Sequence, residues 1–232
     1  MPEQTAKWVE VFSLGGTRAG VPDLPHSAMP MPGQYLPAQS LTTSPAILPS
    51  PLFNVTLDPD RPALAPLSED WQPGDTFAYL PPQGQGFSLP ASARRVALCA
   101  LGVEPIQLFP LIAPALAQDA TVTLFCDPQP PAEVLHRIPS VVEIAPLAAL
   151  AENLAWPDYL AADLRRDSLS QLAEILPEEK LLFEAQALVR TAMPCHGIGE
   201  CGVCAVEIRR GHKLACVDGP VFALAEVLHV AR

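Results

Sequence analysis

Four of the six cysteines lie close together near the end of the sequence, and they are the residues best suited to chemistry. Cys195, Cys201, Cys204 and Cys216 fall within one short segment with the spacing C-x5-C-x2-C-x11-C. Thiolates bind zinc and iron, and a reducing compartment disfavours a framework of disulfides. The segment therefore predicts a metal site in which all four cysteines are ligands.

The spacing of the cysteines bears on the choice between zinc and iron. Structural zinc sites usually have paired C-x2-C knuckles, whereas only Cys201 and Cys204 form one here. The preceding loop contains Gly197 and Gly199, and it resembles the plant-type ferredoxin arrangement C-x4-C-x2-C lengthened by one residue. Glycines let a loop wrap closely around bridging sulfides and present N–H groups to them. A [2Fe–2S] cluster is thus favoured over zinc, with His196 as a loop residue rather than a ligand.

The remaining candidates for chemistry are weak. Cys99 and Cys126 lie in the apolar runs VALCAL and VTLFC, where a free cysteine behaves as a small hydrophobe. The five histidines are scattered, and neither a Ser-His-Asp set nor a pair of carboxylates stands out. We therefore predict no catalytic residue in this chain.

Composition excludes several classes of partner. The chain has 232 residues, of which 49% are hydrophobic and 17% are charged, and this is typical of a globular protein. The net charge of −11 argues against nucleic acid and against a polybasic membrane anchor. Apolar runs stay shorter than the roughly 18–20 residues of a membrane span, and the start does not resemble a signal peptide. We expect a cytoplasmic protein with no nucleic acid or membrane partner.

The elements that must position the cysteines change in type along the chain. Sixteen of the 28 prolines lie within residues 1–90, and proline removes the amide donor that a helix needs. Short alternating segments and Gly/Pro turns there predict an antiparallel β-barrel, domain 1–92. The expected strands of this barrel are Lys7–Leu14, Gln34–Gln39, Leu52–Leu57 and Thr76–Leu80.

Apolar runs alternate with helical patterns from residue 93 to residue 190, which predicts an α/β domain with a parallel sheet. Residues 191–232 form the expected cluster lobe. The expected strands are Arg95–Leu101, Thr121–Cys126, Val141–Ile144, Tyr159–Leu164 and Lys180–Leu188, and the expected helices are Pro105–Gln118, Pro131–Ile138, Leu147–Leu154 and Ser168–Leu176.

This domain order resembles the electron-transfer subunit of NAD-dependent dihydroorotate dehydrogenase, in the ferredoxin–NADP reductase superfamily. Met193–Cys204 (MPCHGIGECGVC) is similar to the family pattern M-x-C-G-I-G-x-C-x-x-C, and Cys216–Phe222 (CVDGPVF) to C-x-D-G-P-V-F. Pro32–Tyr35 (PGQY) resembles the PGQ-F/Y of the barrel, and Gln83–Phe87 (QGQGF) its GPLG-x-GF. The resemblance implies a flavin-binding barrel, a nicotinamide-binding α/β domain and a [2Fe–2S] lobe.

Two segments depart from the family pattern. Leu48–Asn54 stands where the family has the arginine that holds the flavin pyrophosphate, and it contains no arginine. Ala100–Pro105 replaces the nucleotide-binding glycine run with ALGVEP, and Glu104 places a negative charge where a diphosphate would lie. We therefore expect no NAD binding, while FAD binding stays open.

The resemblance also implies site residues and a partner. Residues of this chain at the flavin positions are Pro51, Phe53, Asn54, Gly84 and Gly86. The cluster would pass electrons between a flavin and a catalytic oxidoreductase subunit that carries FMN, in a hetero-oligomer. The alternative is an adaptor or relay subunit that keeps the cluster and has lost both FAD and NAD binding. A zinc-stabilised binding module is the third possibility.

Overall fold

A computed structural model describes residues 4–42, 48–176, 181–195 and 197–228. Its first part is a closed antiparallel barrel of six strands, β1 Gln4–Leu14, β2 Thr17–Pro22, β3 Tyr35–Ser40, β4 Ser50–Asn54, β5 Leu64–Ala65 and β6 Thr76–Tyr79. Their order around the barrel is β1-β2-β5-β4-β3-β6. All four strands expected from the sequence are present, and β2 and β5 complete the barrel.

The interior of the barrel is filled by aromatic and aliphatic side chains. Trp8 stacks on Phe77 with ring centroids 4.5 Å apart, Trp71 stacks on Phe77 at 5.9 Å, and the two tryptophan rings lie 5.5 Å from each other. Leu36 and Leu52 are fully buried in the same cluster. This core forms because apolar residues alternate along the strands and so point to one face of each strand.

The second part is an α/β domain whose strands run parallel to one another. Its helices are short. In place of the expected helix Pro105–Gln118 there are two 3-10 turns, Pro105–Gln107 and Phe109–Leu111, and one α-helix that contains Pro114, because proline cannot continue a helix. The last strand begins later than expected, at Glu184. The strands are β7 Arg95–Leu101, β8 Thr121–Asp127, β9 Glu143–Pro146, β10 Tyr159–Arg165 and β11 Glu184–Arg190, and the helices α1 Ile112–Ala117, α2 Ala132–Leu135, α3 Ala148–Glu152 and α4 Leu169–Ile175.

The third part carries the clustered cysteines and returns to the α/β sheet. A hairpin of β12 Ala205–Ile208 and β13 Gly211–Leu214 is followed by β14 Val221–Ala223 and α5 Leu224–Leu228. Strand β14 pairs antiparallel with β11, so the sheet order is β14-β11-β10-β7-β8-β9. The cysteine segment is thus attached to the sheet at both of its ends.

One continuous core joins the three parts. The outer side of the barrel contributes Tyr35, Phe53 and Phe87 to the same buried cluster as the sheet strands and as Cys204 and Cys216. At roughly 25 cal/mol per Å² of apolar surface, such packing is the main force that fixes the barrel against the sheet. No helix in the described ranges is long and apolar enough to cross a membrane.

Candidate metal centre

The four clustered cysteines converge in the structure. The Sγ atoms of Cys204 and Cys216 are 3.2 Å apart. The thiol of Cys195 is within hydrogen-bonding reach of the thiols of both Cys201 and Cys216. The sulfurs therefore form one connected group, in the order Cys201, Cys195, Cys216, Cys204.

Loops rather than strands present these thiols. Cys195 follows β11, Cys201 and Cys204 precede β12, and Cys216 follows β13. Cys204 and Cys216 are buried, Cys195 is half-buried and Cys201 is exposed. One side of the group therefore faces the core and the other faces solvent.

Two glycines shape the loop around Cys195. Gly197 and Gly199 have φ values of +86° and +78°, which L side chains rarely adopt. A Cβ on Gly197 would lie 2.0 Å from Oε1 of Gln83, so a side chain at this position would require Gln83 to move. The N–H groups of Gly199 and Cys201 donate to the Cys195 sulfur. This arrangement agrees with the expectation of a loop that wraps a cluster and donates to its sulfurs.

The thiols differ in acidity because their surroundings differ. Burial raises the pKa of Cys195, but the hydrogen bonds from Gly199 and Cys201 outweigh burial and lower it to about 7. Burial, together with the neighbouring Cys204 and Cys195, raises the pKa of Cys216 to about 12. Several buried thiolates repel one another unless a cation lies between them, and bound iron supplies that charge and deprotonates its ligands. The donor set thus fits a metal cluster.

The four thiols are not arranged around a single ion. Within the described residues, no group of three or more His, Cys, Asp or Glu side chains is placed to hold one metal ion. His196, which was expected to be a loop residue, lies outside the described residues. The contacts among the four thiols are therefore what favours a cluster over one ion.

The barrel touches the cysteine group through one tyrosine. The buried hydroxyl of Tyr35 lies 2.9 Å from the carbonyl oxygen of Cys216 and 3.1 Å from Oε1 of Gln83. Burial raises the pKa of Tyr35, and the nearby cysteines add to the shift. The hydroxyl therefore stays protonated and donates. The bond to Cys216 therefore places the cysteine lobe directly against the barrel, where the ring of Tyr35 packs 6.1 Å from that of Phe53.

A second contact with the barrel involves the glycines of the QGQGF segment. The N–H of Gln85 donates to the carbonyl oxygen of Gly219 at 2.5 Å. A Cβ on Gly84 would lie 2.5 Å from the same carbonyl oxygen, and a Cβ on Gly86 would lie 2.7 Å from that of Pro32. These glycines are needed for close packing between parts of the protein itself.

The other three residues expected at a flavin site have structural partners. Pro51 is half-buried and pairs with Pro37 of β3, and Phe53 is buried in the core between the barrel and the sheet. The side chain of Asn54 donates to the carbonyl oxygen of Pro30 and accepts from the N–H of Thr56, both at 2.9 Å. All five residues come together along one side of the barrel, but none is cationic. None of the five side chains therefore offers a positive charge to a flavin diphosphate, and a Cβ on Gly84 or Gly86 would meet protein atoms.

The segment after β7, where the family has its nucleotide-binding glycines, carries a carboxylate that bonds to the barrel. Glu104 accepts from the N–H of Gly16 at 2.6 Å and from the hydroxyl of Thr17 at 2.8 Å. Its backbone carbonyl accepts from Arg190 at 2.9 Å. Ligands of α/β sheets bind at this carboxyl edge, where the charge of Glu104 opposes a diphosphate.

A buried ion pair next to this edge was not identified from the sequence. Arg190 donates to both carboxylate oxygens of Asp163, at 2.7 and 2.6 Å, and Asp163 is fully buried. Burial raises the pKa of Asp163, while the charge and hydrogen bonds of Arg190 oppose this shift. Only the acidic residue within an apolar strand, YLAADLR, could have indicated the pair. Since Arg190 ends β11, the pair fixes the point from which the cysteine segment starts.

Arg166 supports the cysteine loops from the other side. It follows β10 and donates to the carbonyl oxygens of Val203 at 3.1 Å and Ala205 at 2.7 Å. These two residues flank Cys204, so the arginine holds the chain on both sides of this cysteine. The remaining cysteines, Cys99 and Cys126, are buried in β7 and β8 as expected for small hydrophobes.

The fold places the chain in a known structural class. Barrel, parallel sheet and cysteine lobe match an NADH-dependent reduced ferredoxin–NADP oxidoreductase at 18% identity and a TM-score of 0.70, over 96% of this chain and 89% of that one. Phthalate dioxygenase reductase is similar over 95% of both chains, at 12% identity and a TM-score of 0.53. The FAD/NAD-binding domain of a Vibrio cholerae nitric oxide dioxygenase aligns over 82% of this chain and 99% of that one, at 13% identity and a TM-score of 0.57. The fold is therefore that of the ferredoxin–NADP reductases.

The cysteine segment narrows this class further. The family model described as the iron–sulfur cluster binding domain of dihydroorotate dehydrogenase B matches residues 191–228. All four clustered cysteines lie inside the matched segment. The chain thus carries an iron–sulfur binding domain of the dihydroorotate dehydrogenase B type on a ferredoxin–NADP reductase fold, which confirms the resemblance noted from the sequence.

Proposed function

We propose that this chain is the electron-transfer subunit of a larger oxidoreductase and carries one [2Fe–2S] cluster on Cys195, Cys201, Cys204 and Cys216. The convergence of these four thiols inside the matched iron–sulfur domain is the observation that supports it. When bound, the cluster supplies one-electron transfer. The residues of the chain bury one side of it, donate N–H groups to its sulfurs and leave the Cys201 side open.

Replacement of one buried ligand tests this assignment. Cys204→Ser should abolish the cluster, because the residue is fully buried among the other thiols. The matched control is Cys99→Ala, which removes an equally buried thiol from β7. We expect about two irons and two acid-labile sulfides per chain in the wild type and in the control. Zinc without sulfide in the wild type, or an intact visible spectrum in Cys204→Ser, would remove the proposal.

The cluster must receive its electrons from a donor, and the proposal has two versions, which differ in whether this chain binds the donor flavin. In the first version this chain binds FAD on its barrel, as the resemblance implies. In the second it is a relay without a nucleotide of its own. The contacts of Gly84 and Gly86 with protein atoms and the position of the Glu104 carboxylate favour the second version.

Cofactor content and reduction kinetics distinguish the two versions. The relay version predicts cluster without flavin in protein purified anaerobically, and no reduction of the cluster by NADH. Dithionite should reduce the same sample fully. One FAD per chain, or rapid bleaching by NADH, would restore the first version without affecting the cluster assignment.

We further propose that the partner is a flavin-bearing catalytic subunit that docks on the open side of the cluster. Cys201 is exposed there, and Ile198, Val203 and Val217 are exposed by 70%, 46% and 45%. Exposed apolar residues around a redox centre are suited to exclude water from an interface. The match to a domain of dihydroorotate dehydrogenase B makes its catalytic subunit, an FMN protein by the family resemblance, the first partner to test.

A further inference from the structure

A cavity of about 590 Å³ lies where the end of β1 and the segment after β4 meet the residues that follow α2. The β1 end supplies Phe12 and Leu14, and the segment after β4 supplies Val55 and Leu57. This volume is within the range of roughly 300–1,000 Å³ that is typical of sites for small molecules. Neither the clustered cysteines nor the five residues expected at a flavin site line it, although Val55 directly follows Asn54.

Two arginines meet over a single aromatic ring in this cavity. The Cζ atom of Arg61 lies 4.6 Å from the ring centroid of Phe12, and that of Arg137 lies 5.5 Å from it. One arginine belongs to the barrel and the other to the α/β domain. An aromatic face attracts a guanidinium and fixes its plane, so the two side chains are oriented in advance.

The carboxylates near the cavity leave N–H groups of Arg61 and Arg137 available as hydrogen-bond donors. Glu10 binds Nε and Nη2 of Arg61 through its two oxygens, which leaves the Nη1 donors of Arg61 available. Asp58 borders the cavity, and one of its oxygens accepts the N–H of Asp60 within its own turn. Arg137 forms no ion pair with a carboxylate of the described residues. Arg137 is exposed, so its guanidinium is accessible to an anionic ligand at this cavity.

We propose that this arginine cavity binds a small organic anion. A phosphate or carboxylate of the ligand accepts hydrogen bonds from Arg61 and Arg137, since the planar fork of a guanidinium matches both groups. An apolar or aromatic body of the ligand packs against Leu14, Val55 and Leu57. The inference goes beyond electron transfer by the cluster and does not depend on it.

Calorimetric titration of the cluster-loaded protein tests the proposal. ADP and FAD serve as organic phosphate probes and 2-naphthoate as the carboxylate probe. Inorganic phosphate is the comparison anion, since it has no apolar or aromatic part. We expect at least one organic probe to bind with Kd below about 1 mM and to bind more weakly as salt is added. Arg137→Ala should weaken that binding by about tenfold or more, because it removes a charge-assisted hydrogen bond. Arg210→Ala, an exposed arginine of the β12–β13 turn, is the matched control and should leave Kd unchanged.

Several results would overturn the proposal. One is the absence of binding by every organic probe, and another is binding that persists unchanged in both Arg137→Ala and Arg61→Ala. Inorganic phosphate that binds as tightly as ADP would also contradict it, because the apolar walls would then contribute nothing. The iron and sulfide content of each variant is measured in parallel, so that failure of the cavity assignment is distinguished from failure of the cluster assignment.

Discussion

Tyr35→Phe removes one buried hydroxyl and leaves the ring in place, so it isolates the bond between the barrel and the cluster lobe. The hydroxyl has two acceptors, the Cys216 carbonyl at 2.9 Å and Oε1 of Gln83 at 3.1 Å, but only one proton. Its residue is fully buried. Without the hydroxyl, the Cys216 carbonyl, which is the nearer acceptor, loses its donor.

The size of the effect follows from these contacts. A net hydrogen bond contributes about 1 kcal/mol, and a buried acceptor left without a donor costs about 1–3 kcal/mol. Gln83 can rotate toward another donor, so we expect a total loss of about 2 kcal/mol. In a chain of this length, 1 kcal/mol corresponds to roughly 2–4 °C in Tm, and Tyr35→Phe should therefore lower Tm by about 4–8 °C.

Two measurements on the cluster-loaded protein check this prediction. The first is Tm, and the second is the rate at which visible absorbance disappears in the presence of an iron chelator, which should rise because the Cys216 loop is held less firmly. Tyr79→Phe is the matched control, since the Tyr79 hydroxyl bonds Gln4 at 2.7 Å within the barrel and does not touch the lobe. A Tm within 1 °C of the wild type, or equal rates of cluster loss in both variants, would refute the reasoning.

Two further predictions concern the sheet. Asp163→Ala should destabilise the protein by about 3 kcal/mol in urea unfolding, because it leaves the Arg190 guanidinium, 28% exposed, without its carboxylate. The control Asp167→Ala breaks an exposed ion pair and should destabilise the protein by less than about 0.5 kcal/mol. Equal losses of stability in the two variants would contradict the argument. Burial raises the pKa of Cys99 from its ordinary value of 9.0 to about 12. Between about pH 9 and pH 12 the thiol is therefore deprotonated in the unfolded chain but still protonated in the folded protein, and the stability of the fold decreases as the pH rises. Cys99→Ala should flatten this decrease by up to about 1.4 kcal/mol per pH unit, and an identical pH profile would count against the assigned shift.

The parts of the fold that follow local sequence patterns were predictable. Four close cysteines with glycines between them define the metal segment, and alternating apolar runs define the order of barrel and parallel sheet. Strand β5 was not predicted, since a two-residue strand has no periodicity to detect. The expected helix Pro105–Gln118 was too long because its apolar spacing is helical while its prolines permit only short turns.

The contacts that complete the site are long-range and have no local signal. The sequence indicates that Glu104 opposes a diphosphate, but not that it binds Gly16 and Thr17 in the first hairpin of the barrel. Tyr35 is part of the PGQY segment, and nothing in that segment indicates a bond to Cys216. Such contacts depend on how the barrel lies against the sheet, which in turn depends on the summed packing of the shared core rather than on any single motif.

The barrel has a role in this protein even if it holds no nucleotide. Its interior core, around Trp8 and Phe77, is separate from the core that it shares with the sheet. Its outer side closes against the cysteine loops through Tyr35 and Gln83 and against the segment before β14 through Gly84. A small lobe with only a two-stranded hairpin of its own cannot bury a cluster without such a wall, because hairpins alone are marginally stable. A barrel that has lost its nucleotide site would therefore still be required, because its outer surface covers the cysteine loops.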